Sequence, residues 1–178
     1  MTDRTIFLRG DIVDLVVLTT ADVETTKAWM NDHSVTQFLS RGDTPATTDS
    51  QTQWTEGLAK RDNDLTLGIW HRADQKLIGS TGLHQISQRD QHADFGIVIG
   101  DKDYWSGGCG TDTLQTLLQY AFEIRNLRQV KLEVLGNNPR AKRCYEKCGF
   151  KLIGTMPNRI FKQGQWHDVD IMIAGRPE

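Results

Sequence analysis

The most constraining feature of the sequence is a glycine-rich turn between an apolar segment and an amphipathic one. Ile97–Ile99 end a run typical of a buried strand, and Gly107, Gly108 and Gly110 follow soon after. Beyond the turn, leucines recur at the three- and four-residue spacing of a helix. Glycine permits backbone angles that other residues resist, so successive N–H groups can converge on an anion. This order of elements predicts either a tight strand–helix connection or a phosphate site at a helix N-terminus.

Two common phosphate-binding motifs do not fit this turn. A P-loop has lysine and then serine or threonine after its last glycine, whereas Gly110 is followed by Thr111 and Asp112. A dinucleotide-binding fingerprint has a third glycine where Thr113 stands, and it opens a parallel unit rather than following antiparallel strands. A short glycine motif is also compatible with a plain connection, so the turn alone leaves its ligand open.

Length, charge and hydropathy narrow the class of protein. With 178 residues and no internal repeat or long linker, the chain is expected to form one domain over residues 1–178. The formal net charge of −2 argues against a nucleic-acid partner. No apolar run approaches the roughly 20 residues that span a bilayer, so no membrane association is expected. The N-terminal residues also lack the pattern of a secretory signal, which predicts a cytoplasmic protein.

The hydrophobic patterns predict an α+β fold. Leu65–Trp70, Leu77–Ile86 and Asp94–Ile99 are typical of an antiparallel meander. Two short strands and two helices are expected before it, the second helix beginning near Asp49. After the glycine turn come a helix, an alternating strand, a helix capped by Asn138 and a final pair of strands. We therefore expect a mixed, mostly antiparallel central sheet with helices on its faces.

The cysteines indicate neither a disulfide framework nor a metal site. Cys109, Cys144 and Cys148 are an odd number, which suits a reducing compartment. Cys144 and Cys148 lie four residues apart on the predicted helix, but only His167 offers an obvious nitrogen partner. Structural zinc normally has four ligands, so no metal is expected.

Two segments resemble the motifs of the GCN5-related N-acetyltransferases, the GNAT superfamily. Asp94–Thr111 is similar to the pyrophosphate-binding motif of that family, with Trp105 where glutamine or arginine is commonest. Asn138–Phe150 resembles its second signature, an asparagine, a tyrosine at Tyr145 and a closing Gly-Phe. The resemblance covers essentially the whole chain and favours the branch of ribosomal-protein-alanine and polyamine acetyltransferases. Two motifs in the right order are more specific than either one.

The resemblance implies a GNAT-like acyl-CoA N-acyltransferase fold, in which the central sheet is splayed in the middle and has helices on both faces. It also implies acetyl-CoA as the co-substrate, without a metal. The pantetheine arm is expected on backbone groups of Ile97, Val98 and Ile99 and on Asn138. The residues expected around the pyrophosphate are those of the turn: Trp105, Ser106, Gly107, Gly108, Cys109, Gly110 and Thr111.

Acetyl transfer from a thioester needs an uncharged amine, a polarised carbonyl and a protonated leaving thiolate. Tyr145 is the predicted general acid for the thiolate; the alternative is a tyrosine merely packed between helix and sheet. Asp94 is the predicted base, acting through a water; it could instead orient the amine or form a surface ion pair. His84 and His92 are weaker candidates for the base.

The acceptor is the least constrained part of the prediction. Asp32, Asp168 and Asp170 are the candidate amine-binding residues, and the last two alternate on one face of the final strand, opposite the apolar Val169 and Ile171. Such acids suit a polyamine, an aminosugar or aminoglycoside-like antibiotic, or a peptide N-terminus, attacking directly in a ternary complex. Two rivals stay open: a CoA-binding sensor without turnover, and an unrelated nucleotide-binding protein. A homodimer is also left open.

Overall fold

The computed structural model describes residues 4–40 and 42–177. The strands of these residues are β1 (Ile6–Arg9), β2 (Val13–Val16), β3 (Leu65–His71), β4 (Lys76–Ser87), β5 (His92–Ile99), β6 (Gln129–Leu135), β7 (Lys151–Lys162) and β8 (Gln165–Gly175). The α-helices are α1 (Val23–Met30), α2 (His33–Thr36), α3 (Thr48–Gly57), α4 (Cys109–Gln119) and α5 (Pro139–Lys147). Single turns of other helix types flank several of them.

The strands form one sheet in the order β1-β2-β3-β4-β5-β6-β8-β7. Neighbours from β1 to β5 run antiparallel, as do β6, β8 and β7, and only β5 and β6 run parallel. The predicted meander and the mixed, mostly antiparallel sheet are therefore confirmed. A parallel neighbour needs a crossover, and α4 supplies it between β5 and β6.

Helices cover both faces of the sheet because alternate strand residues are apolar on each face. On one face, Leu114 and Leu117 of α4 pack with Leu15 of β2 in the main core. On the other face, Trp29 of α1 and Trp54 of α3 pack over a smaller cluster. We call this second face the α1–α3 face.

Three details differ from the sequence-based expectation. The short helix α2 was not expected, since four residues carry no periodic signal. The predicted helix near Asp49 begins one residue earlier, at Thr48, whose neighbour Thr47 caps it. In β8, Val169, Ile171 and Ile173 share one face as expected, but Ile171 and Ile173 are only half-buried, whereas Met172 and Ala174 on the opposite face are buried. The reason is the register: Leu132 of β6 lies opposite Met172 on the face that α4 and α5 cover.

Candidate active site

The sheet opens between its two parallel strands. The β5–β6 ladder pairs His92 with Gln129 and ends at Asp94 and Lys131 within the described residues. Strand β5 nevertheless stays paired with β4 as far as Ile99. Residues 95–99 therefore present one backbone edge to a cleft rather than to a strand, which confirms the predicted splayed sheet.

The glycine turn lies at the open end of this cleft, beyond residues 95–99, which the β5–β6 ladder does not include. Gly108 has φ +87°, in the left-handed region that favours glycine, and it precedes the first residue of α4. Asp112 N–H donates to the Gly108 carbonyl, so the ladder of α4 starts there. The N–H groups of Cys109, Gly110 and Thr111 precede any intrahelical partner and lie at the positive end of the helix dipole. This geometry suits a phosphate group.

The side chains of Trp105 and Arg140 pack together beside the turn and place a positive charge there. The indole Nε1 of Trp105 donates to the Ile99 carbonyl at 2.8 Å, which fixes the ring at the end of β5. The Arg140 guanidinium carbon lies 4.1 Å from the centroid of a Trp105 ring. Arg140 is a positive charge that was not predicted at this site, although its position two residues after Asn138 could have suggested it.

The cysteines pack the turn against α5 instead of facing a substrate. Cys109 is only 2% exposed, and burial raises the pKa of its thiol. Cys144 Sγ lies 3.4 Å from Thr111 Oγ1, and Cys148 Sγ lies 3.8 Å from the Thr111 carbonyl oxygen. A hydrogen bond from Cys148 lowers the pKa of Cys144 to about 6. Because its side chain is buried, Cys109 has only its backbone N–H to offer an anion.

Asp112 ties the start of α4 to the N-terminal hairpin. Its carboxylate accepts from the backbone N–H groups of Asp11, Ile12 and Val13 at 2.8–2.9 Å. A Cβ atom on Gly10 would come within 2.6 Å of the Asp112 carboxylate, so this close approach requires glycine. No local sequence pattern marks Asp112, because its partners lie far away along the chain.

Tyr145 lies at the closed end of the cleft. Asn138 caps α5 by accepting from Ala141 N–H at 3.1 Å, as predicted for the helix start. The ring of Tyr145 packs against Phe95 and Phe150, with centroid distances of 6.2 and 6.0 Å. Phe95 is the first β5 residue past the last β5–β6 pair. Burial, and then the charge of neighbouring Cys144, raise the pKa of Tyr145, so its phenol stays protonated at neutral pH.

Asp94 lies at the same end of the cleft but on the other face of the sheet. Phe95 faces Tyr145, and consecutive strand residues alternate, so Asp94 points to the α1–α3 face. Its carboxylate lies 3.1 Å from the ammonium of Lys131, which also lies 3.7 Å from Glu133. The ion pair considered for Asp94 is thus present, and its role as a base stays a prediction.

Asp32 has protein partners of its own. It caps α2 by accepting from Ser34 N–H at 2.8 Å, and its carboxylate lies 2.7 Å from the Lys102 ammonium. The hydrogen bond from Lys102, followed by that from Ser34, lowers the pKa of Asp32 to about 2. Its predicted contact with an amine would therefore compete with Lys102.

Asp168 and Asp170 lie on one face of β8 in different surroundings. Asp170 is buried on the face covered by α5, where it is paired with Lys142 and accepts from Thr155. The hydrogen bond from Lys142, more than that from Thr155, lowers the pKa of Asp170. Asp168 is exposed and accepts from Asn158 N–H at 2.8 Å. Within the part of the chain that the structure describes, Asp168 has no ammonium partner, unlike Asp32 and Asp170. The role of all three in amine binding remains a prediction.

The tip of the β7–β8 hairpin reaches α2. Lys162, which is only 8% exposed, donates to the Thr36 carbonyl at 2.9 Å. The side chains of Gln163 and His33 lie 2.9 Å apart. The N-terminal helices and the C-terminal hairpin are thereby joined on the α1–α3 face.

Residues 4–40 and 42–177 contain neither a metal-ligand cluster nor a membrane-spanning helix. Those residues contain no group of three or more histidine, cysteine or carboxylate side chains arranged to hold a metal ion. Within the same ranges, no helix is long and apolar enough to cross a membrane.

Comparison with known proteins decides the family. The family model described as "Acetyltransferase (GNAT) domain" matches residues 13–151, which include the cleft, the glycine turn and α5. The chain belongs to this family. It is a GNAT N-acetyltransferase, and the resemblance inferred from the two motifs is confirmed.

Several relatives share this assignment. An uncharacterised N-acetyltransferase, YoaA, of Bacillus subtilis is 23% identical over 96% of this chain and 97% of its own. A spermidine N(1)-acetyltransferase of Vibrio cholerae is 34% identical over 56% of this chain and 57% of its own. Among solved structures, spermidine N-acetyltransferase from Vibrio cholerae in complex with CoA and spermine superposes with a TM-score of 0.84. That match is 23% identical and covers 92% of this chain and 95% of the other, so it confirms the GNAT fold.

Proposed function

We propose that this GNAT enzyme transfers the acetyl group of acetyl-CoA directly to a primary amine of a small cationic acceptor. The observation that carries the proposal is the cleft between β5 and β6. A helix start whose geometry suits a phosphate lies at one end of it, and the protonated phenol of Tyr145 lies at the other. A thioester substrate with a pyrophosphate at its far end matches both ends at once. In this reaction no acetyl group is attached to the enzyme.

The residues of the donor side fit CoA. The turn from Trp105 to Thr111 offers a left-handed glycine, unpaired helix N–H groups and the charge of Arg140 to a pyrophosphate. The backbone edge of Ile97–Ile99 can hydrogen-bond the amide groups of pantetheine as a strand would. Asn138 lies at the start of α5, where its carbonyl oxygen is used by the cap and its amide N–H₂ remains for the pantetheine.

Tyr145 is proposed as the general acid. The thiolate released on collapse of the tetrahedral adduct is a good acceptor for a phenolic proton. Burial keeps that proton in place until the thiolate forms. Asp94, on the opposite face, adds negative charge where the acceptor enters and can attract an ammonium group despite Lys131.

A polyamine is the acceptor class with the most support. The Vibrio cholerae relative at 34% identity is named spermidine N(1)-acetyltransferase, and its match covers about half of each chain. Asp32 and the exposed Asp168 are proposed to contact the distal ammonium groups of such an acceptor, whereas the buried Asp170 would first have to exchange Lys142 for the amine. Aminosugars, aminoglycoside-like antibiotics and peptide N-termini are the other amines to compare with it.

The proposal is tested by measuring free thiol released from acetyl-CoA with spermidine, spermine, an aminoglycoside and short peptides. We expect amine-dependent release, with a polyamine giving the highest kcat/KM. Tyr145→Phe should lower kcat by about 100-fold or more, the usual effect of losing a general acid. The Kd of CoA, measured by calorimetry, should change little, since the ring is retained.

Other outcomes would overturn parts of the proposal. Tight CoA binding with no turnover across the panel would favour a CoA sensor. Binding of ATP or NAD in place of CoA would contradict the donor site. Full activity of Tyr145→Phe would show that the leaving thiolate takes its proton from elsewhere.

A further inference from the structure

His84 lies on the α1–α3 face of β4, directly beside the opening of the cleft. Its cross-strand partner is Asp94, the last β5 residue paired with β6. Its neighbours on the same face are Gly82 and Gly96, which are themselves cross-strand partners. Gly96 is the second residue beyond the point at which β5 leaves β6. The imidazole therefore stands where an amine must approach a thioester in the cleft.

The imidazole ring lies over Gly82 and Gly96, although the approach that requires glycine at position 82 is that of the Leu65 carbonyl oxygen. A Cβ atom on Gly82 would lie 3.1 Å from His84 Nε2, and one on Gly96 would lie 3.4 Å from the same nitrogen. The ring thus lies over both glycines, and its Nε2 atom points toward the cleft. Glycine inside a strand commonly marks such a close approach.

A bulge and a carboxylate fix the orientation of His84. The β4–β5 register shifts between His84 and Ser87, and Gln85 in this bulge has φ +51°. Bulges re-aim side chains, and left-handed non-glycine residues concentrate at functional sites. Asp64 accepts from Gln85 N–H at 3.0 Å, and its other oxygen lies 3.7 Å from His84 Nδ1. A carboxylate on that side favours the tautomer with the proton on Nδ1, which leaves Nε2 as the acceptor.

The contacts of the two side chains favour His84 over Asp94 as a base. The Asp94 carboxylate already has a cationic partner, the ammonium of Lys131 from β6 at 3.1 Å. His84 is faced by two carboxylates, Asp64 from the loop before β3 and Asp94 from β5. Arg61 lies 3.8 Å from Asp64 and offsets part of that charge. Imidazole is the side chain whose ordinary pKa lies closest to neutral pH, so it suits the role of a proton acceptor.

We propose that His84 is the catalytic base for the acceptor amine and that Asp64 is its positioning residue, which rests on the proposed function. The acceptor ammonium gives one proton to His84 Nε2, and the neutral amine then forms a bond to the thioester carbon. When the C–S bond breaks, the thiolate takes the proton of Tyr145. The second proton of the attacking nitrogen restores the phenol through water, and His84 releases its proton to solvent. One proton leaves per acetyl group transferred.

The test is the pH dependence of kcat/KM for spermidine at saturating acetyl-CoA. The wild type should show an inflection at its acidic limb from His84. His84→Gln should lower kcat/KM by about 100-fold near pH 7 and remove that inflection, since the base is lost. Asp64→Asn should retain the inflection and move it to lower pH, because a removed carboxylate disfavours the imidazolium. Asp94→Asn should also retain it, although amine binding weakens.

Controls separate chemistry from folding. His92→Gln removes an exposed histidine at the start of β5, outside the cleft, and should match the wild type. His84→Asn repeats the test with a smaller side chain, and both His84 variants should keep the wild-type Kd for CoA. An acceptor whose amine pKa lies below the assay pH enters as the free base. It should recover most of the rate in His84→Gln.

The outcomes distinguish this inference from the proposed function. If the wild type turns over and depends on Tyr145 but His84→Gln keeps its inflection, the assignment of His84 is overturned alone. Loss of the inflection in Asp94→Asn instead would assign the base to Asp94. If the wild type releases no thiol with any amine, the proposed function is overturned together with this inference.

Discussion

The two sides of the cleft are built in different ways. The donor side, from β5 through the glycine turn to α5, is formed mainly by backbone groups from two continuous segments, 95–111 and 138–145. The proposed acceptor side brings together side chains from distant parts of the chain, where Lys162 contacts Thr36, for example. The donor side therefore depends on backbone conformation, whereas the acceptor side depends on long-range contacts. The first can serve one common donor while the second varies with the amine.

The largest expected effect on a KM value is on the donor side, and it tests whether that side depends on backbone conformation. Gly108→Ala places a side chain at φ +87°, which disfavours the left-handed turn by about 1–2 kcal/mol. We expect the KM for acetyl-CoA to rise by about tenfold, with the KM for the amine unchanged. Steady-state kinetics with each substrate varied in turn provide the measurement.

Gly107→Ala is the matched control for that variant. Its Cβ atom would meet only the Tyr104 carbonyl oxygen, at an ordinary 3.8 Å, so we expect wild-type kinetics. Equal effects of the two substitutions would show that the left-handed conformation of Gly108 does not matter for donor binding.

A smaller effect is expected on the acceptor side from Lys162→Met. The substitution keeps the aliphatic stem but removes a buried charged hydrogen bond to α2, a loss of about 1.5–3 kcal/mol in the free energy of unfolding. The KM for the amine should rise several-fold, while the KM for acetyl-CoA stays constant. Lys151→Met, at an exposed position at the start of β7, is the control. A parallel rise in both KM values would contradict the separation of the two sides.

The smallest effect is expected from Arg140→Gln, which tests whether a side chain also contributes to the donor side. Loss of a cation–π contact and one charge should weaken CoA binding by about two- to fivefold. The difference should shrink as salt is added, because the contact is exposed. Calorimetric Kd values at low and high salt measure this, with Arg143→Gln on the same helix as the control. A weakening independent of salt would indicate altered packing of Trp105 instead.

The contrast between local backbone conformation and long-range contacts also explains which parts of the structure the sequence predicts. The meander, the turn and the Asn138 cap follow from patterns within short windows, and the structure confirms the elements that those patterns predict. The order of the two motifs also predicted the family and the splayed sheet. Helix α2 and the surroundings of Asp170 could not be predicted in this way. Helix α2 is too short to carry a periodic signal. The surroundings of Asp170 depend on which face of β8 lies under α5, and a period of two does not identify that face.

In the candidate site too, residues with a local sequence signal differ from residues whose placement depends on long-range contacts. Tyr145 and the glycine turn carry local signals, so their placement at the two ends of the cleft was predictable in outline. The orientation of His84 depends on Gly96 across the strand and on Asp64 twenty residues earlier in the chain. No spacing rule connects these three residues. Their relation exists only once the strands are in register.

The hydrogen bonds that the Asp112 carboxylate accepts from residues 11–13 have a consequence for the order in which the structure forms during synthesis. The turn at residues 11–13 leaves the ribosome long before Asp112 does, since the two are separated by about one hundred residues. The N–H groups of residues 11–13 therefore hydrogen-bond to water until the first turn of α4, which carries the Asp112 carboxylate, has been synthesised. The proposed donor pocket is consequently completed late, when this long loop closes, and a nascent chain truncated before α4 lacks the helix start that is proposed to hold the pyrophosphate.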